Sequence, residues 1–327
     1  MPQIIQFTHP GAEHGPDSPG GLHKSWNLGS HRRKFMRCQG DYVNGSNRLI
    51  KNKNLLFWGE WEPPSAVTSL GEPSAPFHPR LLHEPFLPAI MPIGRVSSCA
   101  PVGSSCKPAC SETNAPQNTD PFVFDDAFKY LVCKQAKLGF RKSTGLTLLE
   151  RGSMILFGST SGRDKATAFF QLDTVFVIAD WIEYSPSDLA SLRAHQEVSG
   201  LYDQLVVSKA FPKQLRHTTR LRFYRGATYQ NQVEGMYSFS PARVGSSSPS
   251  GFPRVRLSNL HFLTNNLNSA PKYTPAKPDP AFLAQVKLAW LTVRDETRRQ
   301  GCVEGVRFSL PTVQKSPVPD SCLTASN

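Results

Sequence analysis

Residues 152–159, GSMILFGS, and residues 168–182, AFFQLDTVFVIADWI, carry the strongest fold signal in this chain of 327 residues. Both stretches are rich in β-branched and aromatic residues, which favour strands. Short, nearly continuous apolar runs of this kind are typical of strands buried at the centre of a sheet. We therefore predict that these two segments form central strands, and that the remaining strands are arranged around them.

Shorter strand candidates lie on both sides of this centre. They are IIQF at 4–7, NLLFWGEW at 54–61, TRLRFYRGATY at 219–229, EGMYSFSPAR at 234–243 and RVRLSNL at 254–260. The best helix is DPAFLAQVKLAWLTVRDETRRQG at 279–301, which ends at Gly301. Because strands outnumber helices without regular βαβ alternation, the pattern argues against a doubly wound parallel sheet. The pattern predicts an α+β fold, with a curved or barrel-like mixed sheet and a few packed helices.

The domain organisation follows from shifts in composition along the chain. We predict one large domain over residues 1–313. An irregular insertion rich in Pro, Ser and Cys is expected at about 62–118, where periodicity is weak. The last residues, 314–327, are predicted to form a flexible tail.

The charge of the chain points to a polyanionic partner. Lys and Arg number 37 against 25 acidic residues, which gives a formal net charge of +12. No apolar run is long enough to cross a bilayer, and the N-terminus lacks the pattern of a signal peptide, so we predict a cytoplasmic protein with no membrane contact. The seven cysteines are odd in number and irregularly spaced, which argues against a secreted disulfide framework.

A loop at residues 7–35, after the first strand candidate, is dense in titratable side chains. It contains His9, Glu13, His14 and His23 among glycines and prolines. Three interpretations are open: a zinc site formed by His9, His14 and His23, acid–base roles for Glu13 and His14, or solvated histidines with Glu13 bonded to a backbone amide. The sequence itself requires no cofactor.

Two basic runs, at residues 31–54 and 213–226, are candidate nucleic-acid contacts. Aromatic residues are interleaved with the first run, a mixture that lets a surface bind phosphates and stack on bases. The candidate contacts are Trp26, Arg32, Arg33, Lys34, Arg37, Tyr42, Trp58, Arg220 and Arg222. Each run alone is also compatible with a solvated charged face. Together they predict a nucleic-acid partner, and they do not distinguish DNA from RNA.

Two further positions could carry chemistry. Glu60 lies beside Trp58 and Trp61, where it could act as an acid or accept hydrogen bonds from a purine edge; a core tryptophan pair with a surface Glu is the alternative. Cys133 precedes Lys134, and a nearby cation lowers the pKa of a thiol and makes it a better nucleophile; a buried structural cysteine is the alternative. Three more cysteines, Cys99, Cys106 and Cys110, could bind a metal with one further ligand.

Five segments resemble a bacterial family of 7-deazaguanine DNA-modification clusters. They are THPGAEHGPD at 8–17, WNLGSHRRKF at 26–35, LLFWGEWEPPS at 55–65, QNTDPFVFDDAFKYLVCKQ at 117–135 and FQLDTVFVIAD at 170–180. The component that they resemble converts 7-cyano-7-deazaguanine in DNA to the 7-amido form, within a restriction-modification system that includes other proteins. The resemblance therefore implies a hydrolase-type enzyme that carries out nitrile hydration.

The resemblance also implies roles for the candidate residues. Cys133 would add to the nitrile, Glu13 or His14 would transfer protons, and Glu60 would read the guanine-like edge. A metal-bound water held by the N-terminal histidines would serve in place of Cys133. The base would leave the duplex stack and lie against Trp26, Trp58 or Tyr42. Two other hypotheses are a non-catalytic reader of a modified base and a metal-dependent nuclease or glycosylase subunit.

Overall fold

The structure is a computed structural model of the full chain. It describes residues 1–71, 76–91, 116–137, 139–162, 168–198, 200–212, 215–216, 218–245, 250–258, 260, 272–273 and 282–314.

Eighteen strands and three α-helices lie in these ranges. The strands are β1 (Ile4–Thr8), β2 (His23–Lys24), β3 (Lys34–Val43), β4 (Leu49–Gly59), β5 (Ser65–Ser69), β6 (Leu81–Pro85), β7 (Leu87–Pro88), β8 (Lys129–Tyr130), β9 (Ala136–Lys137), β10 (Lys142–Ser143), β11 (Met154–Ser161), β12 (Phe169–Tyr184), β13 (Leu221–Gly226), β14 (Ser240–Val244), β15 (Val255–Leu257), β16 (Lys272–Tyr273), β17 (Val303–Phe308) and β18 (Val313–Gln314). The helices are α1 (Leu189–Arg193), α2 (Ser208–Ala210) and α3 (Phe282–Arg299).

The two apolar segments at residues 152–159 and 168–182 form the centre of the first sheet. Its order is β16-β1-β11-β12-β13-β8, and β15 also pairs with β12. The β1 strand runs parallel to β11, whereas β11 and β12 are antiparallel. The described residues form two hydrophobic cores, one on each face of these strands. Ile4 packs in one core and its neighbour Ile5 packs in the other. This two-sided burial explains why β1, β11 and β12 read as apolar runs without alternation.

The second sheet has the order β17-β14-β4-β3-β6-β5-β2 and is partly closed. The β17 strand pairs with β14 on one side and with β3 on the other, so β3, β4, β14 and β17 form a ring. Such closure removes the exposed edges of these four strands. The α+β prediction with a curved, barrel-like mixed sheet is confirmed.

Helix α3 covers one core with the apolar stripe that its sequence predicts. Val286, Trp290 and Val293 are buried against strand residues such as Val175 and Val177 of β12. The predicted helix began at residue 279, but residues 279–281 lie outside the described part of the chain.

The predicted insertion at 62–118 is not irregular over its first half. Strands β5 and β6 pair with each other there, and β6 also pairs with β3. Short strands interrupted by prolines hide the alternation on which a strand prediction depends. Cys99, Cys106 and Cys110 lie outside the described residues. Of the predicted tail, residue 314 belongs to β18, which pairs with β7, and residues 315–327 are also outside.

Among the described residues, no helix combines the length and the apolar composition that crossing a membrane would require.

Candidate functional site

The candidate site lies where strand ends of the two sheets meet. His9 follows β1 of the first sheet, and Glu60 follows β4 of the second sheet. Arg33 immediately precedes β3 and joins the sheets: its guanidinium is 3.0 Å from Glu60 Oε2 and 2.7 Å from Asp173 Oδ2 of β12. Arg33 is 1% exposed, and both carboxylates are buried. The chain therefore places an ionic network inside the junction of its sheets.

Cys133 is held on a turn organised by Asp120. The Asp120 carboxylate accepts hydrogen bonds from the backbone N–H groups of Leu131, Val132 and Cys133, each at 2.8 Å. Burial raises the pKa of Asp120 to about 6, against the lowering effect of these three bonds. The next residue, Lys134, has φ of +57°, a left-handed conformation that turns the chain sharply. Asp120 thus fixes the backbone that carries the thiol.

Cys133, His9 and Glu60 stand in the order of a nucleophile, a base and an orienting carboxylate. The Sγ atom of Cys133 is 3.0 Å from His9 Nε2. The other ring nitrogen, His9 Nδ1, is 3.2 Å from Glu60 Oε2, although it lacks the alignment of a hydrogen bond. Contacts of this length permit proton transfer once the ring adjusts to a substrate. The arrangement is that of a thiol activated by a histidine.

The thiol and the imidazole are both neutral in the resting site. Burial raises the pKa of Cys133 well above its ordinary value, and Asp120 and Glu60 add to this effect. Burial likewise lowers the pKa of His9, although Glu60 opposes it. Lys134 was expected to activate the thiol, but its lowering effect is outweighed, and its ammonium donates to the carbonyl of Thr8. The nucleophile must therefore form by proton transfer to His9 during attack.

A second group of side chains adjoins this triad and could bind a metal ion. The candidate ligand atoms of His31, Glu60 and Glu62 lie within 4.8 Å of one another. His31 Nδ1 is 2.7 Å from Glu60 Oε1 and 3.0 Å from Glu62 Oε1, and His14 Nε2 is 3.6 Å from Glu62 Oε2. Histidine and carboxylate ligands of this number suit zinc with one open position for water.

The charges of the site are already balanced without a metal. Burial would lower the pKa of His31, but Glu60 and Glu62 raise it to about 10, so the ring is cationic at neutral pH. Arg33 and Arg254 are the other cations, the latter 3.7 Å from Asp173. Three cations thus face the carboxylates of Glu60, Glu62 and Asp173. A metal ion would have to displace the proton of His31 in order to bind there.

The structure does not bring together the predicted metal ligands His9, His14 and His23. His23 lies in β2, where its Nδ1 is 3.3 Å from Asp17 Oδ2, whereas His9 contacts Cys133 and His14 contacts Glu62. A loop rich in Gly and Pro provides no regular spacing, so its histidines can face different partners. The converging set is His31, Glu60 and Glu62.

Glu13, a predicted acid–base residue, stabilises the loop through hydrogen bonds to the backbone. Its carboxylate accepts hydrogen bonds from the backbone N–H groups of Arg80 and Leu81 at 3.1 Å. This is the backbone-bonded alternative of the sequence analysis. His14, the other predicted acid–base residue, is buried, and burial lowers its pKa. Neither has a recorded contact with Cys133 in the described residues.

Four of the predicted nucleic-acid contacts are buried. Trp26 donates its indole N–H to the Gln117 carbonyl, and Trp58 donates to the Phe252 carbonyl. Arg33 belongs to the ionic network, and Lys34 donates to the Pro63 carbonyl at 2.9 Å. Because these side chains already have interior partners, this structure does not support their contact with phosphates or stacked bases.

The remaining predicted contacts are at least partly exposed. Arg37 pairs with Glu84, while Arg220 and Arg222 of the second run pair with Glu183 at 3.5 and 3.0 Å. Tyr42 is half-buried in β3 and packs beside the core. Arg32 is exposed and lines a cleft near the site. Both runs adjoin the candidate site. The first does so through Arg33, and the second through the backbone of Arg222, which is hydrogen-bonded to the side chain of Gln135 beside the Cys133 turn.

Sequence reasoning missed Glu62, Asp120, Asp173 and the partnership of His31. Some signals were present: Glu60 and Glu62 are two residues apart, the spacing that places side chains on one face of an extended chain. Asp173 is an isolated acid in an apolar strand, which indicates a buried ion pair. Asp120 had no comparable signal, because its partners are backbone amides that the sequence does not distinguish.

Lys34 predicts a measurable pH effect on stability. Burial lowers the pKa of its ammonium to about 7 in the folded protein, whereas an unfolded lysine titrates near 10.4. Between these values the unfolded chain binds more protons, so this group makes the folded state more stable as the pH rises. The free energy of unfolding of wild type should rise relative to Lys34→Met by up to about 1.4 kcal/mol per pH unit. Urea denaturation of both proteins from pH 7 to 10 checks this, and parallel pH curves would contradict it.

Comparisons of the chain with protein-family models, curated proteins and solved structures found no match.

Proposed function

We propose that this protein hydrates the nitrile of 7-cyano-7-deazaguanine in DNA to the amide, with Cys133 as the nucleophile. The observation that carries the proposal is the contact of 3.0 Å between Cys133 Sγ and His9 Nε2, with Glu60 behind the ring. The protein would act in the cytoplasm with other proteins of a DNA modification and restriction system. The substrate class rests on the resemblance of five segments and on the net charge of +12.

The first half of the reaction forms a thioimidate. His9 Nε2 takes the thiol proton as Cys133 Sγ attacks the nitrile carbon, and the π electrons of the nitrile move to nitrogen. The imidazolium then gives the proton to that nitrogen. Glu60 stabilises the transient cation. Burial would raise the pKa of Glu60, but the cations Arg33 and His31 hold it well below the ordinary value. The product of this step is a covalent R–C(=NH)–S bond.

The second half releases the amide. Water adds to the thioimidate carbon with His9 as the base, and the resulting tetrahedral carbon carries OH, NH₂ and sulfur. Breaking the C–S bond, rather than the C–N bond, yields the amide and returns the thiol. His9 favours this outcome because it lies against the sulfur, where it can protonate the departing thiolate. Protonation of the nitrogen instead of the sulfur would expel ammonia and leave a thioester, which a second water would hydrolyse to the carboxylic acid.

A second candidate uses a metal-bound water in place of the thiol. The set of His31, Glu60 and Glu62 favours it, since zinc with such ligands lowers the pKa of bound water. In that case His31 would bind the metal as a neutral ligand, and Cys133 would lie near the nitrile without attacking it. A non-catalytic reader of the modified base would need neither group.

Nucleoside mass spectrometry tests the proposal. DNA containing 7-cyano-7-deazaguanine is incubated with the purified protein, with and without prior treatment by a chelator, and is then digested to nucleosides. We expect a product heavier by one water in both samples. A product formed only in the sample without chelator would show that the metal site, and not Cys133, catalyses the hydration. Unchanged nucleosides in DNA that the protein retains would identify it as a reader.

A further inference from the structure

A cleft of 690 Å³ opens beside the candidate site, and its chemistry is that of a binding site for a polyanion. Arg32, Arg80 and Arg254 line it, together with a single carboxylate, Glu13. The oxygens of Glu13 are bonded to the backbone amides of Arg80 and Leu81, so its charge is partly offset. The cleft therefore carries an excess of positive charge.

Two of these arginines are available to a ligand. Arg32 and Arg80 are exposed, and within the described residues no carboxylate forms a salt bridge with either side chain. Glu13 is their nearest acidic residue: its charge acts on Arg80, and its backbone carbonyl accepts from Arg32 Nη1 at 3.5 Å. Arginines that are paired with acids contribute less to phosphate binding, because the acid must be displaced. These two guanidinium groups can bind phosphates directly and bidentately.

The third arginine is fixed in the wall of the cleft. Arg254 is 7% exposed, its Nη1 donates to Ser159 Oγ at 2.6 Å, and its Nε has no hydrogen-bond partner. A buried, unpaired donor is costly unless a ligand or water completes it. Its position in the cleft lining makes a polar ligand the natural partner.

An exposed aromatic ring lies in the same cleft. Phe77 is 53% exposed, with φ of +69° and its ring 5.5 Å from that of Phe169. An exposed Phe does not favour solubility. Together with arginines, however, it can bind a nucleic-acid strand, because the ring stacks on a base while the guanidinium groups contact phosphates.

The cleft is adjacent to the turn that carries the nucleophile. Thr160 of the cleft lining lies 3.5 Å from Thr8, oxygen to oxygen, and Lys134 donates to the carbonyl of Thr8. His14 lines the cleft and contacts Glu62 of the site. The short segment from Thr8 to His14 thus borders the cleft and the triad.

We propose that this cleft binds a single DNA strand, with phosphates on Arg32 and Arg80 and a base on Phe77, so that a neighbouring nucleotide is presented to Cys133. The inference rests on the proposed function for the identity of that nucleotide. It also replaces the second basic run as the DNA contact. Arg220 and Arg222 pair with Glu183 near the far end of β12, whereas the cleft is lined by Gln171 near the start of that strand. Twelve residues of extended strand separate Gln171 from Glu183, a distance of about 40 Å.

Fluorescence anisotropy with a labelled, unmodified single-stranded oligonucleotide tests the cleft. The measurement uses the Cys133→Ala protein, so that binding is separated from turnover. We expect the double variant Arg32→Ala/Arg80→Ala to raise Kd at least about tenfold and to reduce the slope of log K against log salt by about 1.4, for two lost phosphate contacts. Phe77→Ala should weaken binding about tenfold and leave the salt slope unchanged.

The matched control is Arg216→Ala/Arg220→Ala, which removes the same charge from exposed positions of the second run. We expect less than about a twofold change in Kd, since these positions are outside the cleft. An equal loss in both double variants, or wild-type binding in the cleft variant, would overturn the inference. Because the probe carries no nitrile, failure of the hydration assay with normal cleft binding would refute the proposed function alone.

Discussion

Replacing Cys133 by alanine is expected to lower the rate of nitrile hydration by about 10³-fold or more, the range found when a covalent nucleophile is removed. The reason is that no other group in the described residues is placed to form the covalent intermediate against His9. The variant should remain folded, because the thiol is half-buried and its backbone N–H is still bound by Asp120. Nucleoside mass spectrometry measures the rate, and circular dichroism measures the fold.

Cys302→Ala is the matched control for this variant. Cys302 is a buried thiol of the other core, and burial raises its pKa as it does that of Cys133. Its removal creates a cavity of similar size without affecting the site, so the hydration rate should stay within about twofold of wild type. A second readout is the mass of the intact protein, where a stalled thioimidate appears as an adduct on wild type but not on Cys133→Ala. Undiminished hydration by Cys133→Ala would remove the thiol mechanism.

Variants of His9 and His31 separate the thiol and metal mechanisms further. In the thiol mechanism, His9→Gln removes the base and lowers kcat. His31 then only orients Glu60 and Glu62 and takes no part in the proton transfer. In the metal mechanism, His31 is a ligand, and its loss affects metal content. We expect the first outcome, since Cys133 Sγ lies 3.0 Å from His9 Nε2.

The sequence predicted the fold class because its central strands are unambiguous. Segments 152–159 and 168–182 become β11 and most of β12, buried on both faces as their continuous apolar pattern requires. The ring closure through β17 was not predictable in detail, because it depends on the pairing of β3 with a strand about 260 residues away in the chain. Register between such distant strands is set by packing rather than by local pattern.

The candidate site was predicted only in part, for a related reason. Cys133, His9 and Glu60 were each identified as residues with chemistry, but they come from three distant segments, and only folding shows that they meet. The predicted acid–base residue Glu13 belongs to the loop cluster, yet its carboxylate accepts hydrogen bonds from backbone amides, a partnership that the sequence does not reveal. Basic residues were also misjudged, because a run of positive charge does not reveal that Arg33 and Lys34 have partners inside the protein.

The largest expected effect on stability is that of Arg33→Met. Arg33 is buried between Glu60 and Asp173, and its loss leaves carboxylates in the interior without their main cation. Removing one partner of a buried ion pair costs about 3–5 kcal/mol, because the remaining charge is not solvated. Arg37→Met is the control from the adjoining strand β3: Arg37 pairs with Glu84 at a partly exposed position, where such a pair contributes at most about 1 kcal/mol. Urea denaturation of both variants gives the two values.

A double variant shows whether the cost comes from uncompensated charge or from lost packing. If charge is the cause, Asp173→Asn added to Arg33→Met removes one of the stranded carboxylates and restores part of the lost stability, so the two effects are not additive. If packing of the long Arg33 side chain is the cause, the double variant is less stable than either single variant by the sum of their effects. We expect the first result, since Arg33 makes direct contacts of 3.0 and 2.7 Å with the two carboxylates. The same network would then keep Glu60 ionised behind His9, which connects the stability of the sheet junction to the proton transfer that the proposed reaction needs.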